Sequence, residues 1–325
     1  MLPSTRWFAA LVLALSATGV AAQGQGPYPN RPIKIVVPIS PGSATDVLVR
    51  AVAERMQVRL GQPIVVENRA GAGTTIGAAM VAKAEPDGYT ILANSNAHTV
   101  NPYLYRNLPY DSGTDFVGVA TLGSLPNILV VSPQSPFNSV QDLVAAAKQR
   151  PGKLNYASAG VGSGTHMNAE KFRIASGLMA EHIAYKGTPE AVTETMAGRV
   201  DWFFAPGVSV MGAVKDRKLK ALAVGSKERS SVLPDLPTTE EAGVTNSAYT
   251  LWIGLFAPAK TPTAIVNRLN QEVANALATP EVKERFAKLG ADPMPMGVDA
   301  FRTFLAQEFK TSEQIIKDAG IKPQD

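Results

Sequence analysis

Strand-like and helix-like segments alternate along this chain, beginning with the apolar segment IKIVVPI at residue 33. The helical segment that follows carries Leu48, Val52, Met56 and Leu60 four residues apart, so these side chains share one helix face. The segments PIVVEN and YTILAN then indicate two more strands, with the helical segment IGAAMVAKA between them. Strands and helices in this order predict a parallel sheet covered by helices.

The same alternation starts again near residue 125 and predicts a second α/β unit. Its strands are NILVV, LNYAS, AEHIAY, VDWFF and LKALAV, and its helices include VQDLVAAAKQ and HMNAEKFRIAS. Residues 116–131 and 249–258 are longer strand-like segments at the places where the chain would pass between units, and the tail is mostly helical. We therefore predict two lobes with two crossing strands as a hinge: lobe 1 is residues 27–122 plus 250–325, and lobe 2 is residues 123–249.

The first 22 residues differ from the rest of the chain. They contain a single cation, Arg6, then an apolar run from Trp7 to Leu15, then small residues that end in Ala22. This order predicts a secretory signal peptide at residues 1–22. A short membrane anchor is the alternative, but the apolar run is shorter than the roughly 20 residues needed to span a bilayer. The mature protein is therefore expected to be exported.

Composition excludes several classes of function. The chain has no cysteine, which rules out disulfides, cysteine-bound metals and a thiol nucleophile. Its three histidines show no metal-binding spacing. The formal net charge of +4 is small for 325 residues and gives no case for nucleic acid as a partner. We expect no cofactor, no metal and a monomer.

Three loops rich in glycine, serine and threonine join a predicted strand to a predicted helix. They are SPGSATD at residues 40–46, AGAGTTIG at residues 70–77 and AGVGSGTH at residues 159–166. In the second loop, Gly71, Gly73 and Gly77 are spaced one residue too widely for a dinucleotide fingerprint, and no lysine of a Walker loop is present. The sequence therefore gives little support for nucleotide binding.

Such loops can still bind an anion. A helix N-terminus presents unpaired N–H groups and about half a positive charge, and glycine lets a ligand approach the backbone closely. None of the three loops has a lysine or arginine at its centre, which suits a small carboxylate held by dipoles and hydrogen bonds. The alternative is that the loops are ordinary helix caps, where serine, threonine, aspartate and glycine are common.

An enzymatic function has little support. The third loop is similar to a nucleophile elbow, but Ser163 is flanked by Val161 and Thr165 where that motif requires glycines. No catalytic triad emerges from the sequence, so we predict no catalytic residues and keep a hydrolase only as a remote alternative.

Several longer motifs together resemble the Bug family. They are, in chain order, NRPIKIVVPISPGSATDVLVR, VVENRAGAGTTIGAAMVAKAEPDGYT, NPYLYRNLPYD, LNYASAGVGSGTH, LPDLPTTEEAG and LWIGLFAPAKTP. The resemblance as a whole runs from about Ile33 to Pro323. The family comprises periplasmic solute-binding receptors of tripartite tricarboxylate transporters. The resemblance implies a two-lobed, type II-like periplasmic binding protein that closes on a small organic anion, either a mono- or a dicarboxylate. It implies membrane transporter subunits as partners, with a sensor protein that feeds a signalling partner as the alternative.

The resemblance also implies positions for the ligand contacts. Those expected in lobe 1 are Ser40, Gly42, Ser43, Ala44, Asp46, Gly73 and Thr74, with Ser95 and Asn96 after the third strand. Those expected in lobe 2 are Ser158, Ala159, Gly162, Ser163, Gly164, Thr165 and His166, with Lys186 and Ala205 after two further strands. Asp46 and His166 could each be a helix-terminus residue instead of a ligand contact, and Lys186 could be an ordinary solvated lysine.

The chain departs from the family pattern in three places. Ser43 stands where a second glycine is usual, and Thr74 replaces the last glycine of a Gly-Ala-Gly-Gly loop. Both substitutions add a side chain where water and ligand would sit, so the Ser43 and Thr74 hydroxyl groups either contact the ligand directly or narrow the pocket. Ala205 and Pro206 stand where the family often has an aspartate that can meet a ligand ammonium group. We therefore predict that this receptor does not favour amino acids.

Overall fold

A computed structural model describes residues 28–230 and 232–324; the predicted signal peptide lies outside this range. The described strands are β1 (Ile33–Val37), β2 (Ile64–Asn68), β3 (Thr90–Ser95), β4 (Phe116–Leu125), β5 (Asn127–Val131), β6 (Leu154–Ser158), β7 (Ala180–Ala184), β8 (Trp202–Pro206), β9 (Lys220–Val224), β10 (Leu251–Pro258) and β11 (Asp292–Pro293). The described helices are α1 (Ala44–Leu60), α2 (Thr75–Ala82), α3 (Ala97–Leu104), α4 (Val140–Gln149), α5 (Gly164–Ser176), α6 (Thr188–Met196), α7 (Gly207–Lys215), α8 (Thr263–Ala278), α9 (Pro280–Lys288) and α10 (Val298–Ala319), and a 3₁₀ turn (Ala72–Thr74) precedes α2. None of these helices is long and apolar enough to cross a membrane.

The strands form two mixed sheets, and the predicted α/β fold with two sheets flanked by helices is confirmed. The sheet of lobe 1 has the order β11-β4-β10-β3-β1-β2, and the sheet of lobe 2 has the order β7-β6-β8-β5-β9. In lobe 1, β1 pairs in parallel with β2 and β3, whereas β10 is antiparallel to both β3 and β4. In lobe 2, β6 pairs in parallel with β7 and β8, whereas β5 is antiparallel to β8 and β9.

In this topology, the two sheets face each other with the edges at which their parallel strands end. Strand β4 runs in the same direction as β3, since both are antiparallel to β10, and only Pro126 separates β4 from β5. The chain therefore enters lobe 2 from the carboxyl edge of β1–β4. Because β5 is antiparallel to β8, the strands β6, β7 and β8 end at the edge where β5 begins. The gap between the lobes is thus lined by strand–helix loops, where α/β proteins bind their ligands.

Apolar packing fixes the helices on these sheets. The ridge of Leu48, Val52, Met56 and Leu60 predicted from the sequence is buried in the core of lobe 1, which confirms that helix face. A separate cluster joins the lobes, with Val100 and Leu104 of α3 and Ile315 and Ile316 of α10 packed around Met167 of α5. Helix α10 thus contacts both lobes.

Three helices were not predicted as separate elements. Helix α3 is short, polar and interrupted by Pro102, which disfavours a helix interior. Helix α7 contains glycine and valine in its nine residues, and α9 follows α8 after the single residue Thr279. The predicted crossing segment at residues 116–131 is divided by Pro126 into two strands, because proline cannot donate a ladder hydrogen bond.

Candidate ligand-binding site

The loop before α1 is held by its own helix. Ser43 is the N-cap residue, and its Oγ accepts a hydrogen bond from the N–H of Asp46 at 3.3 Å. The Asp46 carboxylate in turn accepts one from the N–H of Gly42 at 2.9 Å, and Gly42 has the left-handed φ of 78° that this turn requires. Residues 39–42 are exposed. Helix geometry gives the N–H groups of Ala44 and Thr45 no intrahelical partner.

Asp46 is buried, and both oxygens of its carboxylate accept hydrogen bonds. Arg50 Nε and Asn68 Nδ2 each donate to its Oδ1 at 3.0 Å. Burial alone would raise the pKa of Asp46, but the hydrogen bonds from Arg50, Gly42 and Asn68 hold this pKa below its ordinary value. The carboxylate is therefore ionised and neutralised by Arg50. These contacts favour the helix-terminus role of Asp46 over direct contact with a ligand.

The second loop is strained and is supported from α3. Thr74 has a φ of 81°, a left-handed conformation that costs a residue with a side chain about 1–2 kcal/mol. Asn101 Nδ2 donates to Gly73 O at 3.0 Å and to Thr74 Oγ1 at 3.1 Å, and Asn94 Nδ2 lies 3.5 Å from the same oxygen. A hydroxyl has two acceptor lone pairs and one donor. Since both lone pairs of Thr74 are used, its O–H hydrogen is free to donate.

The glycine at position 73 has a steric reason. A Cβ there would lie 2.2 Å from the hydroxyl oxygen of Tyr105, at the end of α3. A side chain at this position would therefore require Tyr105 to move, and the φ of 59° also favours glycine.

The third loop repeats the construction of the first on the other lobe. Ser163 is the N-cap residue of α5, and its Oγ accepts from the N–H of His166 at 3.2 Å. The N–H of Gly162, whose φ is 76°, donates to His166 Nδ1 at 3.1 Å. The N–H groups of Gly164 and Thr165 have no intrahelical partner. The two lobes thus present helix N-termini of the same design, with Asp46 and His166 in equivalent positions.

His166 is a neutral acceptor in this arrangement. Its Nδ1 can accept from Gly162 only when that nitrogen carries no proton. Burial, followed by the effects of His182 and Arg173, lowers the pKa of His166 to about 3, so the ring stays neutral at physiological pH. The geometry again favours the helix-terminus role.

The remaining loop residues are fixed to one another. Ser158 is fully buried, and the N–H of Ala159 donates to Thr165 Oγ1 at 2.9 Å. A Cβ on Gly162 would lie 2.2 Å from Leu104 Cδ2 in α3, so this loop touches lobe 1.

The four predicted residues at strand ends lie in different surroundings. Ser95 is half-buried at the end of β3. The amide of Asn96 donates to Thr250 O at 3.1 Å and to Glu308 Oε2 at 3.2 Å, so both of its hydrogens are used inside the protein. Ala205 lies within β8 and is fully buried, whereas the Lys186 side chain is exposed.

Sequence reasoning missed the residues that support the loops. They are Arg50 and Asn68 beside the first loop, Asn94 and Asn101 beside the second, and His182 beside the third. Asn94 offered a signal, since it is a polar residue in the otherwise buried strand TILANS.

Two cavities lie away from these loops. One of about 450 Å³ lies between α5 and α10, and one of about 530 Å³ lies at the hinge, beside Ser124, Ser230 and Met294. The predicted loop residues line neither of these two cavities. Within residues 28–230 and 232–324, no group of acidic or histidine side chains is arranged to hold a metal.

Comparison with known proteins places this arrangement in a family. A model of the tripartite tricarboxylate transporter family receptor, TctC, matches residues 48–321. The periplasmic binding protein BugD is 33% identical, with a TM-score of 0.80 over 91% of this chain and 100% of its own. Rpa4515 of R. palustris with adipate is 32% identical, with a TM-score of 0.83 over 91% of this chain and 100% of its own. MatC of Rhodopseudomonas palustris with bound malate is 32% identical, with a TM-score of 0.78 over 89% of this chain and 100% of its own.

These similarities extend over both lobes and agree with the periplasmic binding protein fold expected from the motifs. Receptors of this kind bind a solute and do not transform it, so the protein is not an enzyme. The chain belongs to the TctC, or Bug, family of solute-binding receptors.

Proposed function

We propose that this receptor captures a small dicarboxylate between its lobes, with one carboxylate at each of the two equivalent helix N-termini. The observation that carries the proposal is the repeated capping pattern of Ser43 in lobe 1 and Ser163 in lobe 2. Each pattern leaves two helix N–H groups for an anion and places no lysine or arginine in the loop itself. The relatives with adipate and with malate support a dicarboxylate of that size range.

Thr74 adds a directed donor on lobe 1. Its O–H hydrogen is the one group that Asn94 and Asn101 leave unused, and it lies in the loop beside the N-terminus of α2. A carboxylate has about four acceptor sites, so it can accept from the α1 N–H groups and from Thr74 together.

Capture proceeds by closure about the two crossing strands, β4–β5 and β10. A dicarboxylate that contacts both lobes makes more hydrogen bonds when the lobes are close, and this differential affinity shifts the population towards the closed form. The same logic disfavours amino acids. Position 205 is an alanine fully buried in β8, so no carboxylate is available there for a ligand ammonium group.

We further propose that the mature receptor is exported to the periplasm as a monomer and delivers its ligand to the membrane subunits of a tripartite tricarboxylate-type transporter. The signal-peptide pattern of residues 1–22 and the family membership support this place of action. Affinity capture of a tagged receptor from inner membranes, with adipate added, tests the partner. Recovery of an integral transporter subunit supports transport, and recovery of a sensor kinase instead would contradict it.

Calorimetric titration tests the ligand class, with malate, adipate and aspartate compared on one preparation. We expect binding of one or both dicarboxylates and much weaker binding of aspartate. Ligand at 100 times its Kd should stabilise the folded protein by about 2.7 kcal/mol, so a thermal unfolding scan gives an independent measurement. Tight binding of aspartate alone would overturn the proposal.

A further inference from the structure

Four aromatic rings are stacked behind the third loop, in the order His166, His182, Tyr156 and Trp202. The centroids of His166 and His182 are 3.9 Å apart, with an interplanar angle of 12°. Those of His182 and Tyr156 are 5.0 Å apart at 16°, and those of Tyr156 and Trp202 are 4.7 Å apart at 24°. The stack connects Trp202, in the core of lobe 2, to His166, which accepts a hydrogen bond from the third loop.

The first and third loops differ in what holds their equivalent residues. Asp46 is fixed by hydrogen bonds from Arg50 and Asn68. His166 is fixed instead by ring contact with His182, which lies in the edge strand β7. His182 therefore occupies the supporting position in lobe 2 that Arg50 and Asn68 occupy in lobe 1.

His182 also reaches the loop through hydrogen bonds. Its Nε2 lies 2.6 Å from Ser158 Oγ, which accepts from the N–H of Gly160 at 3.1 Å. Gly160 O then accepts from Ser163 Oγ at 2.7 Å and from the Ser163 N–H at 3.2 Å. This path runs without a gap from His182 to the N-cap residue of α5.

We propose that His182 is a positioning residue of the lobe 2 half of the carboxylate site, holding Ser158 and His166 so that the N-terminus of α5 faces the ligand. The inference rests on the proposed function. It concerns a residue that is not itself a ligand contact.

The geometry accommodates both protonation states of His182. When its Nε2 is unprotonated, the Ser158 hydroxyl donates to it. When Nε2 carries a proton, it donates to Ser158 Oγ, and the Ser158 hydroxyl hydrogen turns to Gly160 O at 3.2 Å. The loop is kept in both cases, and the charged ring, in which both nitrogens carry protons, adds a positive charge behind the N-terminus of α5.

The charged and titratable groups around this ring are few. Glu170 and Arg173 lie on α5 and pair with each other at 2.6 Å, His166 lies on the same helix, and Tyr156 lies on β6. Burial lowers the pKa of His182, and Glu170 opposes this effect in part. A bound carboxylate favours the charged ring, so binding takes up a proton and the contribution of His182 to affinity grows as the pH falls towards this lowered pKa.

The test uses His182→Phe, which keeps an aromatic ring in the stack and removes Nε2. We expect an adipate Kd about tenfold higher by calorimetry, which corresponds to the loss of about one hydrogen bond of positioning. Ser158→Ala should give a similar loss, and the double variant should lose little more than either single one, because both break the same path. His98→Phe is the matched control. His98 lies in lobe 1, where its ring stacks on Phe256 and its Nε2 is 3.0 Å from Ser112 O. This variant also replaces a stacked histidine by phenylalanine, and it should leave the Kd unchanged.

The pH profile separates positioning from a merely structural role. Because a dicarboxylate itself gains protons at low pH, the quantity to compare is the ratio of the Kd values of His182→Phe and wild type at each pH. We expect this ratio to rise from pH 8 towards pH 5.5. NMR titration of the wild-type ring should also show a higher His182 pKa with adipate than without it, and this result does not depend on any variant folding.

Three results overturn the inference: an unchanged Kd in His182→Phe, losses that add in the double variant, or a His182 pKa that adipate does not move. A wild type that binds no carboxylate at all would instead overturn the proposed function, so the two failures are distinguishable.

Discussion

Replacing Ala44 with proline removes one proposed ligand donor and little else. Ala44 is the first residue of α1, where the backbone N–H has no intrahelical partner and the fixed φ of proline suits the helix. The preceding residue, Ser43, has φ −65° and ψ 161°, the extended conformation that a following proline requires. The Ser43 cap and the Asp46 hydrogen bonds do not involve this N–H group.

The expected magnitude follows from the single bond lost. A hydrogen bond to a charged group contributes about 1.5–3 kcal/mol. Since about 1.4 kcal/mol corresponds to a tenfold change, the Kd for adipate should rise by roughly 10- to 150-fold. The stability of the unliganded protein should change by less than about 1 kcal/mol, because proline at a compatible position mainly restricts the unfolded chain.

Calorimetry with adipate measures the affinity, and thermal unfolding without ligand measures the stability of the unliganded protein. Val298→Pro is the matched control, because Val298 is the first residue of α10 and follows Gly297 with a similar φ of −67° and ψ of 160°. It should leave the Kd unchanged. If Ala44→Pro folds and binds adipate as tightly as the wild type, the α1 N-terminus is not a ligand contact.

Three further predictions concern supporting residues. Asn101→Ala leaves Thr74 Oγ1 and Gly73 O without their α3 partner, and it should cost about 1–3 kcal/mol in denaturant unfolding while weakening adipate binding. Asp46→Asn should destabilise the protein at pH 7. Because the folded pKa of Asp46 is lowered, the stabilising contribution of its carboxylate is present above the ordinary pKa of about 3.8 and is lost below it. Unfolding scans of the variant and the wild type should therefore converge in acid. Glu308→Gln should have the opposite effect, because burial raises the folded pKa of Glu308 and disfavours its ionised form. As the pH rises above 4.5, the variant should become more stable relative to the wild type, and a relative loss of stability there would contradict the reasoning.

Local patterns were sufficient to predict the elements that carry the site. The Ser-Gly-rich loops precede α1 and α5 as the sequence indicated, because a serine N-cap and a preceding glycine encode the turn within a few residues. The buried ridge from Leu48 to Leu60 was likewise readable, since its period is set by the helix itself.

Contacts between distant segments were not readable. Asn96 stands at a strand end, where a ligand contact is reasonable, yet its amide meets Thr250 and Glu308, 154 and 212 residues away. Asn101 was missed for a related reason, because α3 carries Pro102 and has a weak helical pattern. Local propensity gave no hint that this helix supports the second loop.

Charge balance explains how such a site can hold an acid without a lysine or arginine in its loops. On lobe 1 the ionised Asp46 would repel a carboxylate, but Arg50 lies 3.0 Å from it and cancels its charge. On lobe 2 the equivalent residue is His166, which stays neutral and needs no counter-ion. Both helix N-termini therefore keep their partial positive charge unopposed. A site built from amide dipoles binds and releases its ligand without breaking a full ion pair, which suits a receptor that must release its ligand again.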